Sequence, residues 1–241
     1  MPDKIIIKDF SDFIKRVDVG SNNNNFLFLY RGQENDDSLL PSIARKNPFE
    51  DTQSIEREIM NEFKRRSFFL NQTGKLKDDW DWLVFAQHFG LKTRLLDWTS
   101  NPLVGLFFAC YKNTKSDSFV YLLIANESMS VRRDVDTTPF SIKSTKVFRP
   151  PQNNERIIAQ SGWFTAHAYS SKNTKFVCLE KNTKTKTRIK KYLIPGSLKN
   201  EFLSKLNKFG INYQTMFPDV EGLCRQINWE MNLEYLQKAP F

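Results

Sequence analysis

Between residues 87 and 109 the chain reads QHFGLKTRLLDWTSNPLVGLFFA, where a histidine, two hydroxyls and an arginine–aspartate pair interrupt what is otherwise an apolar run. Polar groups in such company cost free energy unless partnered, so Arg94, Asp97, Thr99 and Ser100 require either an internal hydrogen-bond network or a ligand. Another arginine, Arg31, closes the aromatic run FLFLYRGQ and is followed by Gly32 and Gln33. A lone arginine at a strand end either binds a ligand or pairs within the fold, with Asp97 or Glu221 as its partner. Arg94 and Asp97, three residues apart, have the spacing of a local ion pair that pins a loop. His88 has two roles open to it: a cap on the C-terminal end of a helix, or a neutral imidazole hydrogen-bonded to a ligand. Gln87, His88 and Thr93 bracket a turn beside the proposed pocket. Trp98, Phe107, Phe108, Trp163 and Phe164 read as core.

The elements that must hold these residues follow from periodicity. Phe10, Phe13, Ile14 and Val17 recur at helical spacing behind Asp9 and Ser11, which predicts a short amphipathic helix. Residues 26–33 form an apolar run of strand length with Arg31 near its end. Over residues 52–70, Ile55, Ile59, Phe63, Phe69 and Leu70 fall near helical spacing, with glutamates early and cations late as the helix dipole prefers. Residues 80–89 predict a helix with Trp82, Leu83, Phe85, Ala86 and Phe89 on one side, stopped by Gly90. Residues 93–97 read as a short strand or extended turn. Pro102, behind the cap candidates Thr99, Ser100 and Asn101, opens a buried helix through Cys110. Strands are predicted at residues 118–125, 156–159, 163–167, 176–179 and 187–194, followed by helices over 197–208 and 224–238. Helices first and mostly strands later predict an α+β domain rather than alternating βαβ units.

With 241 residues, 40% of them hydrophobic, the chain can bury one sizeable core, and no Gly/Ser- or Pro-rich linker divides it. A single domain over residues 1–241 is expected, with its core at about 20–225. The start MPDKIIIKDF lacks the pattern of a secretion signal, and no apolar run approaches the ~20 residues of a membrane span, so a cytoplasmic protein without membrane contact is expected. Cys110, Cys178 and Cys224 are isolated, and His88 and His167 are the only histidines, which leaves no metal-site spacing. The net charge of +9 favours polyanionic partners such as nucleic acid or a phosphate-rich cofactor. Much of it falls at residues 172–191, which read as an exposed hairpin arm or strand pair that either binds nucleic acid or only aids solubility. No phosphate loop, dinucleotide GxGxxG, nucleophile elbow or HExxH is present.

YRGQ at 30–33, QHFGLKTRLLDWTSNP at 87–102, RIIAQSGWFTAH at 156–167 and NKFGINYQTMFPDVEGL at 207–223 together resemble the FRG domain. A more distant similarity is to ADP-ribosyltransferases of the Arg-Ser-Glu type, in which an arginine-bearing strand, a Ser-Thr-Ser strand leading into a helix, and a Glu-x-Glu element follow in that order. This resemblance implies a helical N-terminal half packed on a mainly antiparallel, split sheet, and NAD as cofactor. It implies that Arg31 holds the pyrophosphate, since a guanidinium forms bidentate bonds to phosphate that an ammonium cannot copy, with Gly32 leaving room for the cofactor and Gln33 beside it. Thr99 and Ser100 then shape the nicotinamide pocket, His88, Thr93 and Arg94 line the cofactor, and Trp163 covers the nicotinamide ring. The third element departs from the pattern, because Gln160 and Gly162 stand where carboxylates belong. An amide cannot stabilise a developing cation as a carboxylate does. Asp97, Asp219 or Glu221 then serves as the anion, or the reaction differs, or the nucleotide is bound without being cleaved.

Two functions follow as expectations. In one, the chain uses NAD to modify a protein or nucleic acid, in the setting of a bacterial toxin or phage-defence effector that the resemblance implies. In the other, it is a non-catalytic module that binds nucleic acid or a phosphorylated ligand through Arg31 and the basic residues 172–191. A purely structural role for these polar residues would leave Arg31, Arg94, Asp97 and Gln160 satisfied by one another, with no cavity between them.

Overall fold

A computed structural model describes residues 4–18, 25–69, 76–112, 115–152 and 154–231, and in it the chain is a mixed α+β domain. Its main sheet has seven strands in the order β1, β9, β4, β2, β3, β6, β5: Lys4–Ile6, Ile189–Ile194, Ser118–Asn126, Phe26–Gln33, Leu95–Thr99, Gly162–Ala166 and Lys146–Phe148. Among the described strands β1 and β9 alone run parallel. Strand β2 pairs with β4 along its whole length, from Phe26↔Asn126 to Gln33↔Phe119. It pairs with β3 only at Tyr30↔Thr99. The sheet therefore divides at that one pair into a half built on β2 and a half built on β3.

Alternation along the strands separates the core into layers. Val120, Leu122, Tyr192 and Ile194 face a cluster under helices α1 (Phe10–Asp18), α4 (Pro102–Cys110) and α6 (Lys199–Lys208). Phe119, Leu123 and Leu193 point the other way, with Leu29, Leu96, Trp98 and Leu179. A third cluster, Met60, Trp80, Leu83, Leu95 and Phe164, lies under α2 (Gln53–Arg66) and α3 (Asp79–His88). Helices thus cover both halves of one face and leave a cleft over the division. They are not confined to the N-terminal half, because α6, α7 (Tyr213–Met216) and α8 (Val220–Glu230) follow the last strand.

Most elements start and stop where local chemistry dictates. Asp78 caps α3 by accepting from Asp81 N at 3.0 Å, and the helix ends ahead of Gly90 at φ +92°. Asn101 caps α4 from Leu103 N at 2.9 Å, with Pro102 in its first turn. The predicted strand at residues 156–159 is instead the short helix α5 (Glu155–Ala159), because Asn154 accepts from Arg156 N at 2.8 Å and so caps it. The predicted strand at residues 176–179 reduces to a two-residue pairing of β7 (Tyr169–Ser170) with β8 (Lys175–Phe176), after which Leu179 N bonds to Leu39 O. Residues 172–191 are not one exposed arm, since they end inside the sheet, where buried Lys191 bonds Asp36 and lies 4.5 Å from the Phe119 ring centroid. Of the helical tail predicted at 224–238, residues up to 230 belong to α8; those from 232 onward lie outside the described residues.

Gly32 serves packing rather than ligand access. A methyl group there would overlap Gly105 O and Ala109 N, so the missing side chain is what lets α4 lie directly on β2. A cofactor approaching that side of Gly32 meets the helix backbone.

Two buried polar networks lie in the half built on β3. Arg94 donates to both oxygens of Glu56 at 2.8 Å and to Pro139 O at 3.1 Å, while Thr52 Oγ1 donates to Glu56 Oε1 at 2.6 Å. The Arg94–Asp97 pair suggested by spacing does not form, because in an extended segment residues three apart point to opposite faces. Further along the same strand Trp98 Nε1 donates to Thr165 Oγ1 at 3.0 Å, and that hydroxyl shares a hydrogen bond with His167 Nε2, also at 3.0 Å. His167 Nδ1 is buried and has no hydrogen-bond partner among the described residues. Burial, reinforced by the charges of Arg31 and Arg94, pushes its pKa down to about 3.

Removing one partner of the α2–β3 pair strands a buried charge, so Glu56→Ala lowers stability by roughly 3–5 kcal/mol in urea unfolding. His167 gives a pH signature. An unfolded histidine binds a proton near 6.5 and the folded one resists until about 3, so its contribution is complete above pH 6.5 and is lost as pH falls towards 3. His167→Gln flattens this slope between pH 6.5 and 4.5; an unchanged slope in matched denaturation curves would refute the assignment.

Candidate functional site

The cleft over the β2–β3 division has a volume of about 530 Å³. One wall is the end of β2, with Tyr30 to Gln33, continued by Glu34 and backed by Phe108 of α4 and by Tyr111 just past that helix. The other is formed by Gln87 and His88 at the end of α3, Asp97 to Thr99 of β3, and Gln160, Gly162 and Trp163 at the turn from α5 into β6. Arg156 and Phe217 close it.

Arg31 sits where the strands part. Its Nη1 donates to the main-chain oxygen of Asp97 at 2.9 Å, and its Nε donates to Gln33 Oε1 at 3.3 Å. Gln33 is held in turn by donating to Asn35 O and Asp37 O. The nearest carboxylate oxygen, Asp97 Oδ2, is 3.8 Å away, and Arg31's side chain is only 16% exposed. Burial disfavours the charge and lowers the pKa from the usual arginine value; Asp97 opposes this shift and Arg45 adds to it. The guanidinium stays charged at ordinary pH, so it occupies the cleft as an incompletely compensated cation.

Asp97 is oriented by a chain of hydrogen bonds. Leu95 N donates to Thr93 Oγ1 at 3.1 Å, the Thr93 hydroxyl donates to Gln87 Oε1, and Gln87 Nε2 donates to Asp97 Oδ1 at 2.7 Å. Each donation fixes the direction of the next, so the amide of Gln87 has one orientation. Thr93 is itself stapled to the loop before α2, with its N donating to Ser42 Oγ at 3.0 Å and its carbonyl accepting from Ile43 N at 3.2 Å.

Across the cleft, Arg156 pairs with Asp219 at 2.6 Å and lies over the Phe217 ring. His88 faces this pair; burial and then the Arg156 charge lower its pKa, with Asp219 opposing, so it is neutral at pH 7. Gln160 Nε2 donates to Met216 O at 2.9 Å. Glu34 is paired with Lys112 at 2.9 Å.

The structure thus brings Arg31, Gly32, Gln33, His88, Asp97, Thr99, Gln160 and Trp163 to one cleft. Thr93 is buried beneath it and reaches it through Gln87, and Arg94 lies in the core. Ser100 is exposed, its N donating to Ser161 O at 3.2 Å, and Glu221 pairs with Arg225 on the outer surface of α8. Asp219 caps α8 from Gly222 N at 2.8 Å and reaches the cleft only through Arg156. Neither of the last two stands beside Arg31, whose carboxylate neighbour is Asp97. Sequence reasoning passed over Glu34, Arg45 and Lys112, polar residues in segments without a motif, and gave Arg156, the first residue of the 156–167 motif, no role of its own. For Glu34 the available signal was its position just past the YRGQ strand. Among the described residues no group of three or more histidines, cysteines or carboxylates could hold a metal ion.

Thr93→Val keeps the shape but strands the Leu95 N–H and the Gln87 carbonyl, costing about 1–3 kcal/mol in urea unfolding, whereas Thr93→Ser restores most of the loss. Equal stability of the valine and serine variants would show that the hydroxyl chain contributes nothing.

No curated protein and no solved structure matches the chain significantly. Residues 27–118 match the family model of the FRG domain, a span that holds Arg31, Gln87, Asp97 and Thr99 but not Gln160 or Trp163. The side of the cleft built on β2, α3, β3 and α4 lies inside that span, so the chain carries an FRG domain over this part of the site.

Proposed function

We propose that this FRG-domain protein binds NAD in the cleft and transfers ADP-ribose from it to a protein or nucleic-acid acceptor. The observation that carries the reading is the state of Arg31. It is nearly buried, no carboxylate lies within hydrogen-bonding distance of it, and its Nη2 makes no hydrogen bond among the described residues. A guanidinium with spare donors in a concave, partly dry site is suited to a phosphate oxygen. The cleft volume of about 530 Å³ falls within the range of roughly 300–1,000 Å³ typical of ligand pockets, and Tyr111, Phe108, Phe217 and Trp163 offer ring surface for a base or nicotinamide.

NAD supplies a glycosidic bond whose cleavage builds positive charge on the ribose. Asp97 is the carboxylate assigned to that charge, with Oδ1 fixed by Gln87 and Oδ2 beside Arg31. The Thr99 hydroxyl accepts from Asn101 N at 3.0 Å and keeps its own proton to donate to a carboxamide. His88, neutral at pH 7, can accept the proton of an incoming nucleophile. A second reading is favoured by Gln160, whose amide is spent on Met216 O, and by Glu34, which is spent on Lys112. With Asp97 the one carboxylate left at Arg31, NAD or another phosphorylated ligand is then held without being cleaved.

Incubation with NAD labelled in its adenylate half separates the readings. Nicotinamide release with transfer of label supports the transferase. Saturable binding without turnover, in the presence of protein and nucleic-acid acceptors, supports the binding module. Absence of binding to the folded protein sinks both. Arg31→Lys weakens NAD binding at least about tenfold. Asp97→Asn lowers turnover about a hundredfold or more with little change in binding.

A further inference from the structure

The charges around the cleft fall into two kinds. Lys112 and Arg156 are each matched by a carboxylate at ion-pair distance, Glu34 at 2.9 Å and Asp219 at 2.6 Å. Arg31 has no carboxylate closer than 3.8 Å, and among the described residues none lies within 4.0 Å of Arg45. Both cations line the cleft, near enough for the charge of one to act on the other, and come from different segments, Arg31 from β2 and Arg45 from the turn that follows Ser42–Ala44.

That turn is held in place. Ser42 Oγ donates to Thr93 O at 3.3 Å and accepts from Thr93 N, which ties it to the lead-in of β3. Arg45 Nε donates to Leu40 O at 3.2 Å, which sets the plane of the guanidinium and leaves both terminal nitrogens for another acceptor. Arg31 is nearly buried and Arg45 is exposed, so a molecule touching both runs from the floor of the cleft to its mouth.

We infer that Arg31 and Arg45 form a diphosphate-binding pair, with Arg31 on the deeper phosphate and Arg45 on the one nearer solvent. Two like charges on one cavity repel each other, a repulsion that Asp97 offsets at Arg31 from 3.8 Å and that an anion lying against both guanidinium groups relieves. Two guanidinium forks also match the oxygens of two linked phosphates better than those of one. The choice of a nucleotide as the carrier of that diphosphate rests on the function proposed above; the pairing of the arginines does not.

Calorimetric titration of the whole chain with inorganic pyrophosphate, ADP-ribose, NAD and AMP tests the pair. Arg45→Gln, at an exposed position, is expected to fold normally and to weaken pyrophosphate and ADP-ribose about tenfold to a hundredfold, while AMP changes less than about threefold. Arg45→Lys restores only part of the loss. Unchanged pyrophosphate and ADP-ribose affinity in Arg45→Gln, or an equal loss for AMP, overturns the pair while leaving NAD binding standing. Pyrophosphate binding that depends on Arg45, without any NAD or ADP-ribose binding, supports the pair and removes the nucleotide reading. Failure of the wild-type chain to bind either pyrophosphate or ADP-ribose overturns both.

Discussion

The bidentate pair between Glu56 and Arg94 is the contact on which the geometry of the cleft depends. Both side chains are almost wholly removed from solvent, at 3% and 2% exposure, and the remaining polar atoms are taken up by Thr52 and Pro139 with the Phe140 ring alongside. Ions in such a place are tolerable only because each meets its opposite and no donor is wasted. The pair fastens α2 to the residue immediately before β3. Everything that β3 brings to the cleft, from Thr93 through Asp97 to Thr99, is placed relative to that anchor.

From there the sheet's division accounts for the rest. A full β2–β3 ladder would close the gap with backbone hydrogen bonds, but only Tyr30 and Thr99 pair. Past that point the two strands diverge. Arg31 bridges the opening by donating to the Asp97 carbonyl that a ladder would otherwise have engaged. Gly32 has the complementary role on the helix side, since only a residue without Cβ lets α4 approach closely enough to form the back wall. Polar side chains are therefore stable here in spite of the surrounding apolar residues: Asp97 is held by Gln87, Gln87 by Thr93, and Thr93 by the loop carrying Ser42. The network satisfies itself without filling the space it surrounds, and this separates the fold from one in which the same residues merely lock a core.

Much of this was legible along the chain. Helical spacing located α1 and α3, and Pro102 behind cap candidates that include Asn101 marked the start of α4, whereas the cap at Asp78 was not read from the sequence. The run FLFLYRGQ is a strand with Arg31 near its end. Failures came where local signals were weak or balanced. Ile157 and Ile158 have β-branched side chains that favour a strand, yet the Asn154 cap turns them into α5. Spacing suggested Arg94 as a neighbour of Asp97, but its true partner is 38 residues earlier, and sequence separation of that size carries no local signature.

What the sequence by itself determined is the inventory and its immediate scaffolding: an arginine closing an apolar strand, a helix stopped by Gly90 beside Gln87 and His88, and a hydroxyl-rich entry to a buried helix. Those follow from backbone preference and short-range periodicity, which act over a few residues. Only the tertiary structure decided which charges are closely paired and which are not. Glu34 takes Lys112, Asp219 takes Arg156, Glu56 takes Arg94, and Glu221 turns outward to Arg225. Arg31 is left with Asp97 at 3.8 Å, and among the described residues no carboxylate lies within 4.0 Å of Arg45, because ion pairing depends on distance through space.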